Sequence, residues 1–194
     1  MKIVDLSHPL TNDLPCYPGD QPFVLETAVS GNVTVSKMMT SLHVGTHIDV
    51  PLHMLKNQET LDSFSLDRFM GQAQVIEDTS PSSLDTIEEG DIVLLRTGYS
   101  KRFYYPNYYQ DFPRLNEAFV DCLIEKKIKM LGLDTPSPDD APYPIHQKLL
   151  SKGIFIIENL TQLEELPLKT RFMFYGVPLK MVAEASLIRA FAVL

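Results

Sequence analysis

Residues 43–53 read His43-Val-Gly-Thr-His47-Ile-Asp49-Val-Pro-Leu-His53 and contain three of the five histidines in a chain of 194 residues. A lone histidine is more often a hydrogen-bonded core or surface residue than a metal ligand, but three of them beside a carboxylate are unlikely to cluster by chance. Imidazole nitrogen and carboxylate oxygen are ligand types that catalytic zinc and related divalent metals take in sites with a position open for water. The segment therefore predicts a metal site.

The spacing within this segment also constrains its backbone. Its odd-numbered residues are polar or are Gly45 and Pro51, and its hydrophobic aliphatic residues are even-numbered, so extended backbone would place the two groups on opposite faces. A fully extended chain would hold His43 and His47 about 13 Å apart, too far to share one metal. We therefore expect a turn between them. Gly45 can adopt angles closed to other residues, and Pro51 prevents a helix from running through the far end.

Composition and charge narrow the class of protein. Hydrophobic residues make up 44% of the chain and charged residues 22%, as in ordinary globular proteins, and the length suits one domain spanning residues 1–194. The formal net charge of -8 argues against a nucleic-acid partner and favours a small-molecule substrate. No secretory signal and no run approaching about 18 apolar residues is found, so no membrane association and a cytoplasmic location are expected. Cys16 and Cys122 lack a CxxC spacing and are expected to be reduced.

Short β-branched or apolar runs, most of them bounded by turn-forming residues, predict the strands. They occur at Lys2–Leu6, Val33–Leu42, Gln74–Glu77, Asp91–Arg96, Ile128–Leu133, Ile154–Ile157, Phe172–Val177 and Ile188–Val193. Apolar residues at helical spacing from Leu115 to Leu123 predict a helix that opens near Pro113. A second helix is predicted from Pro144 to Lys152, which would put His146 in its first turn. More strands than helices indicate an α/β or α+β domain built round a mixed sheet.

The segment at residues 43–53 matches every fixed position of H-x-G-T-H-x-D-x-P-x-H, and the chain thereby resembles the cyclase family of metal-dependent hydrolases, which includes bacterial kynurenine formamidase and isatin hydrolase. The similarity continues through Asp5–Leu10, Tyr17–Asp20, Arg96–Tyr99, Gly132–Ser137, Ile157–Leu160, Val177–Leu179 and Arg189–Ala190. The resemblance implies an α/β fold, a single swivelling β/β/α cyclase-like domain with a mixed sheet.

The resemblance also implies a set of metal ligands. His43, His47 and Asp49 would hold one ion, and Asp49, His146 and Glu158 would hold a second in members with two. Without it, His146 would pass as a helix-start residue and Glu158 as a buried or capping carboxylate. Zinc is the first expectation for the metal and manganese the second. His53 lies beyond the proline, where an ordinary pKa near 6.5 suits a general acid/base.

The residues indicate hydrolysis by metal-activated water, and the resemblance implies that the bond cleaved is a carbon–nitrogen amide or formamide bond. N-formylkynurenine, an intermediate of tryptophan catabolism, is the leading substrate, and a homodimer is implied by the resemblance. The first alternative is an isatin-hydrolase-like opening of a cyclic amide or lactone, and the second is a non-catalytic metal-binding or ligand-binding protein. Tyr17 stands where several kynurenine formamidases carry tryptophan, which suggests an aromatic clamp in tyrosine form. His8 stands alone and is interpreted as a strand-end hydrogen-bonding residue.

Overall fold

A computed structural model of the protein describes residues 1–56 and 58–194. Within those ranges the chain forms eleven strands and two α-helices. In chain order they are β1 (Ile3–Asp5), β2 (Val24–Ser30), β3 (Val33–Met39), β4 (His47–Asp49), β5 (Met70–Ile76), β6 (Ile92–Leu95), α1 (Glu117–Glu125), β7 (Met130–Leu133), α2 (Pro144–Ser151), β8 (Phe155–Glu158), β9 (Phe172–Tyr175), β10 (Ala185–Leu187) and β11 (Phe191–Val193). None of the helices in these ranges has the length and apolar character needed to cross a bilayer.

Nine of the strands form one mixed sheet in the order β1-β11-β9-β5-β6-β7-β8-β4-β10. The four central strands β5 to β8 are parallel, and the strands on either side of them pair antiparallel. Strands β2 and β3 pair only with each other and form a separate hairpin. The mixed α/β fold expected from the sequence is confirmed.

The central strands are buried on both faces, which explains their continuous apolar sequences. One apolar cluster fills each face of the sheet, and both helices pack on the same face. Packing around β7 is tight: a Cβ added at Gly132 would lie 2.6 Å from Leu94 Cδ2 and 2.7 Å from Leu160 Cδ1. A larger residue at this position of β7 would therefore force the two leucine side chains to shift.

Strand alternation places the polar residues of β4 and β8 on the helical face. Ile156 of β8 packs in the cluster that contains the helices, and Glu158 follows two residues later on the same face. In β4, Ile48 packs in the opposite cluster, so His47 and Asp49 also point to the helical face. The sheet thus directs three candidate ligands towards α2.

Both predicted helices are present, and each has one shifted boundary. Helix α2 ends one residue earlier than predicted, at Ser151. Helix α1 begins at Glu117 and not near Pro113, because Asn116 Oδ1 accepts a hydrogen bond of 2.8 Å from the Phe119 amide and caps the helix there.

Strand prediction fails where pairing partners decide the structure. The sequence does not predict β2, β4 or β10, and two of these are only three residues long, too short to show an alternating pattern. The predicted strand Ile188–Val193 is wrong in its first half, because Ile188 donates its amide to the Thr46 carbonyl and β11 begins only at Phe191. The last strand is therefore shorter than its apolar run.

His8 also differs from its interpretation. Its imidazole stacks on the Phe103 ring with centroids 3.7 Å apart, and its buried Nε2 has no hydrogen-bond partner among the described residues. The backbone amide of His8 is the group that bonds, to Thr46 Oγ1 at 3.0 Å. The side chain therefore acts as a packed aromatic ring.

Candidate metal centre

Strand pairing brings the first candidate ligands together. In the antiparallel pair of β4 with β8, His47 lies directly opposite Glu158, and the two side chains approach to 3.3 Å between Nε2 and Oε2. Asp49 follows on the same face of β4, with its Oδ1 3.7 Å from His47 Nε2. All three side chains are buried. The register of two short strands thus builds the base of the site.

The turn expected between His43 and His47 is present. Gly45 has φ of +64°, a left-handed conformation that side chains disfavour, and it folds the preceding residues back over β4. As a result the two imidazole centroids lie 5.3 Å apart, and His43 Nδ1 lies 3.0 Å from Asp49 Oδ1. The predicted turn is confirmed.

Helix α2 supplies a further histidine of the site. His146 lies in the first turn of α2, as expected, and its Nε2 lies 3.1 Å from Glu158 Oε1. Its other ring nitrogen, Nδ1, lies 2.5 Å from Oδ1 of the buried Asp139. The Asp139 carboxylate therefore fixes the imidazole so that Nε2 faces the cluster.

His53 completes the group from a different element. A single 3₁₀ turn spans Pro51–His53, and the proline occupies its first position, where a missing amide hydrogen costs nothing. The His53 ring lies 4.2 Å from the His43 ring and 5.8 Å from the His146 ring. Pro51 thus begins the turn that places His53 over the cluster.

The structure brings all six predicted site residues into one cluster. Candidate ligand atoms within 4.8 Å of one another fall into two groups that share Asp49: His43 with His53, and His47 with Glu158. This grouping differs from the division implied by the family resemblance, because it sets His53 beside His43 and separates His43 from His47. The assignment of individual ligands and of His53 as acid/base stays a prediction.

The unpaired atoms of the cluster fit a divalent cation. His47 Nδ1 lies 2.8 Å from the Gly45 carbonyl, to which it can donate, so that Nε2 is left with a lone pair. Both oxygens of Asp49 and the Nε2 of His47 are buried, and none makes a hydrogen bond of acceptable geometry among the described residues, although His43 Nδ1 lies 3.0 Å from Asp49 Oδ1 and Glu158 Oε2 lies 3.3 Å from His47 Nε2. Buried polar atoms of this kind are costly unless something binds them. Imidazole and carboxylate donors suit zinc or a related metal.

The pKa values of the clustered residues are set by burial and by neighbouring charges, which act in opposite directions. Burial alone would raise the pKa of Asp49, but the imidazoles of His47 and His43 reverse this and hold it below its ordinary value. Burial lowers the pKa of His43, and the Asp49 carboxylate more than offsets it, to about 9. For His53, burial prevails and the pKa is lowered. The carboxylate is therefore ionised and His53 is neutral at pH 7.

A cavity of about 240 Å³ opens above the cluster. His43, His53, His146 and Glu158 line it together with aromatic residues, which are Tyr17, Tyr109, Phe112 and Tyr143. The hydroxyls of Tyr17 and Tyr143 are 3.1 Å apart and link two loops. The Tyr17 ring packs edge-on against Tyr109 at 5.7 Å. Tyr17 thus contributes to an aromatic wall, which is consistent with the clamp predicted from the sequence.

Sequence reasoning misses two residues that support the ligands. One is Asp139, which lies seven residues before His146 and gives no periodic signal. The other is Asn159, whose Nδ2 donates a hydrogen bond of 3.0 Å to the same Gly45 carbonyl that His47 contacts. Asn159 immediately follows a predicted ligand within a matching family segment, and that adjacency could have identified it.

Three comparisons place the chain among known proteins. The family model described as putative cyclase matches residues 4–140, more than half of the chain. Kynurenine formamidase from Bacillus thuringiensis subsp. konkukian (strain 97-27) is 34% identical over 172 residues, covering 81% of each chain. A predicted metal-dependent hydrolase from Bacillus stearothermophilus superposes with a TM-score of 0.83 at 29% identity, covering 98% of this chain and 97% of the other.

Isatin hydrolase A from Labrenzia aggregata superposes with a TM-score of 0.85 at 26% identity, covering 98% of this chain and 93% of that one. The matched family segment contains His43 to His53, and the two structural matches each cover 98% of this chain. The sequence motif, the mixed sheet and the clustered side chains agree with these matches, and the chain belongs to the cyclase family.

Proposed function

We propose that this protein is a metal-dependent hydrolase that cleaves a carbon–nitrogen amide bond. The proposed metal ligands are His43, His47, Asp49, His146 and Glu158. The observation that carries the proposal is the set of buried imidazole and carboxylate atoms on His47 and Asp49 that make no well-formed hydrogen bond among the described residues, next to a cavity lined by His43, His53, His146, Glu158 and aromatic side chains. The kynurenine formamidase and isatin hydrolase relatives, both amide hydrolases by name, support it.

The chemistry requires an activated water and a protonated leaving group. A divalent metal held by these residues would supply Lewis acidity, which would lower the pKa of water and polarise a carbonyl. His53 is the proposed acid/base: its neutral imidazole accepts a proton from the attacking water and returns it to the departing nitrogen. An amide nitrogen that left as an anion would be a very poor leaving group, so this transfer lowers the barrier to C–N cleavage.

N-formylkynurenine, an intermediate of tryptophan catabolism, is the proposed substrate. Its aromatic ring would pack against Tyr17, Tyr109 and Tyr143, while its formamide would reach the cluster. The test is a panel of arylformamides, cyclic amides including isatin, and lactones, assayed with metal-loaded protein. Preference for arylformamides supports the proposal, and preference for isatin or a lactone would replace it with the first alternative. A loaded protein inert towards the whole panel would favour a non-catalytic binding protein.

The role of His53 has its own test. We expect His53→Ala to retain metal by elemental analysis and to lose most activity, because proton transfer and not metal binding is removed. Simultaneous loss of metal would instead make His53 a ligand, as its grouping with His43 and Asp49 allows. The same elemental analysis of wild-type protein decides between zinc and manganese and between one and two ions.

The separate hairpin supports a proposed homodimer. Strands β2 and β3 leave large apolar side chains exposed, namely Val29, Val33, Val35, Met38 and Met39. A lone two-stranded hairpin is marginally stable in water, and exposed apolar patches commonly mark interfaces. Light scattering during size-exclusion chromatography tests the dimer, with Val35→Asp expected to dissociate it. A wild-type monomer would refute it.

A cytoplasmic location is also proposed, and subcellular fractionation would test it.

A further inference from the structure

Two of the clustered histidines share an arrangement of their ring nitrogens. His47 directs Nδ1 to the Gly45 carbonyl and Nε2 to the cluster, and His146 directs Nδ1 to Asp139 and Nε2 to the cluster. Metal-binding histidines nearly always donate their second ring N–H to such an acceptor, which fixes the tautomer and the ring orientation. An equivalent acceptor is therefore expected for any other histidine ligand.

For His43 the structure provides this acceptor in Glu184. His43 Nε2 lies 3.3 Å from Glu184 Oε1, while Nδ1 lies 3.0 Å from Asp49 Oδ1. The two ring nitrogens of an imidazole face different directions, so a carboxylate held at Nε2 lies away from the ion that Nδ1 would bind. Glu184 thus contacts the second ring nitrogen of His43, Nε2, as Asp139 contacts the second ring nitrogen of His146, Nδ1.

The backbone that carries Glu184 is anchored to the ligand strand. Strand β10 pairs antiparallel with β4, with Ala185 opposite Asp49, and the Glu184 carbonyl accepts the Val50 amide at 3.0 Å. The Glu184 side chain is 37% exposed, so it lies at the edge of the site. Strand register therefore fixes the position of this carboxylate relative to His43.

We propose that Glu184 is a positioning residue that accepts the Nε2 hydrogen of His43 and thereby presents Nδ1 to the metal. His43 then coordinates through the opposite nitrogen from His47 and His146. The inference rests on the proposed metal centre and adds a residue that the ligand motif does not contain.

The test measures cobalt(II) binding, since cobalt reports its ligand geometry in the visible spectrum. Affinity is measured by chelator competition in wild type, Glu184→Ala and Glu184→Gln. We expect Glu184→Ala to weaken cobalt binding by about tenfold, the lower end of such effects because the side chain is partly exposed, and to shift the visible bands. Glu184→Gln is expected to stay near wild type, because its amide oxygen still accepts from Nε2. The remote exposed Glu164→Ala is the matched control.

The outcomes separate the two proposals. If wild-type protein binds cobalt and Glu184→Ala binds it with the same affinity and spectrum, the role of Glu184 is refuted and the metal centre stands. If Glu184→Gln is as weak as Glu184→Ala, positioning through a hydrogen bond is refuted. If wild-type protein binds no cobalt, the proposed metal centre fails and the inference fails with it. In zinc-loaded protein labelled with ¹⁵N-histidine, His43 should show a protonated Nε2; a protonated Nδ1 would overturn the proposal.

Discussion

Replacement of Asp139 by asparagine tests how the cluster is oriented. Asp139 Oδ2 accepts the Ile145 amide at 2.5 Å and the His146 amide at 3.3 Å, and Oδ1 contacts His146 Nδ1 at 2.5 Å. The carboxylate therefore satisfies the first amides of α2, for which the N-cap residue Tyr143 provides no side-chain bond. One buried side chain both caps the helix and fixes the tautomer of its histidine.

Asparagine can satisfy only part of this arrangement. If its oxygen faces the amides of α2, its NH₂ group faces His146 Nδ1, and the imidazole must then carry its hydrogen on Nε2, the nitrogen directed at Glu158. If its oxygen faces Nδ1, the NH₂ group faces the amide donors. Either orientation replaces hydrogen bonds to a charged carboxylate, which contribute about 1.5–3 kcal/mol each, by bonds to a neutral amide, which contribute about 0.5–1.5 kcal/mol each, so Asp139→Asn should lower the free energy of unfolding by about 1–2 kcal/mol. Metal affinity should fall about 10–100-fold, as for other residues that orient ligands.

Urea denaturation and cobalt(II) titration by chelator competition measure these two effects. Asp121→Asn is the matched control, because Asp121 of α1 makes a solvent-accessible ion pair with Lys148 of α2, the helix that carries His146. Such pairs contribute about 0–1 kcal/mol, and metal affinity should not change. Wild-type cobalt affinity in Asp139→Asn would refute the argument that Asp139 sets the tautomer of His146.

Three further perturbations follow from other contacts. Burial lowers the pKa of His8 to about 4, so the unfolded chain binds more protons than the folded chain between pH 6.5 and pH 4. The free energy of unfolding, measured in urea, should therefore fall by about 2 kcal/mol more in wild type than in His8→Gln between pH 7 and pH 5. The same pH dependence in both proteins would contradict this. Gly132→Ala should lower the free energy of unfolding by about 1–3 kcal/mol in urea denaturation, because its Cβ has no room; an unchanged midpoint would mean that the neighbouring leucines can move aside. Tyr17→Phe and Tyr143→Phe each remove one shared hydroxyl contact, so kcat/KM should change no more in the double variant than in either single one, and additive changes would rule out the contact.

Part of the site could be predicted because it is local in the chain. The 43–53 segment contains His43, His47, Asp49 and His53, and its glycine, together with the roughly 13 Å that extended backbone would place between His43 and His47, correctly indicates a turn. The helix start at Pro144 is equally local, and it correctly places His146 in the first turn. Assigning Glu158 to the same site depends on the family resemblance, because a lone carboxylate at a strand end has no periodic signal.

The sequence by itself determined the donor types, the turn at Gly45 and the approximate positions of the central strands, because these depend on spacing between near neighbours and on continuous apolar runs. Only the tertiary structure decided the pairing of His47 with Glu158 and the acceptors Asp139 and Glu184. Strand register joins His47 to Glu158 and His43 to Glu184, which are far apart in the chain, and the loop before α2 brings Asp139 to His146 seven residues later. Glu184 lies 141 residues from His43 in the chain, so no local pattern shows which ring nitrogen His43 presents, whereas His47 is oriented by the Gly45 carbonyl two residues before it.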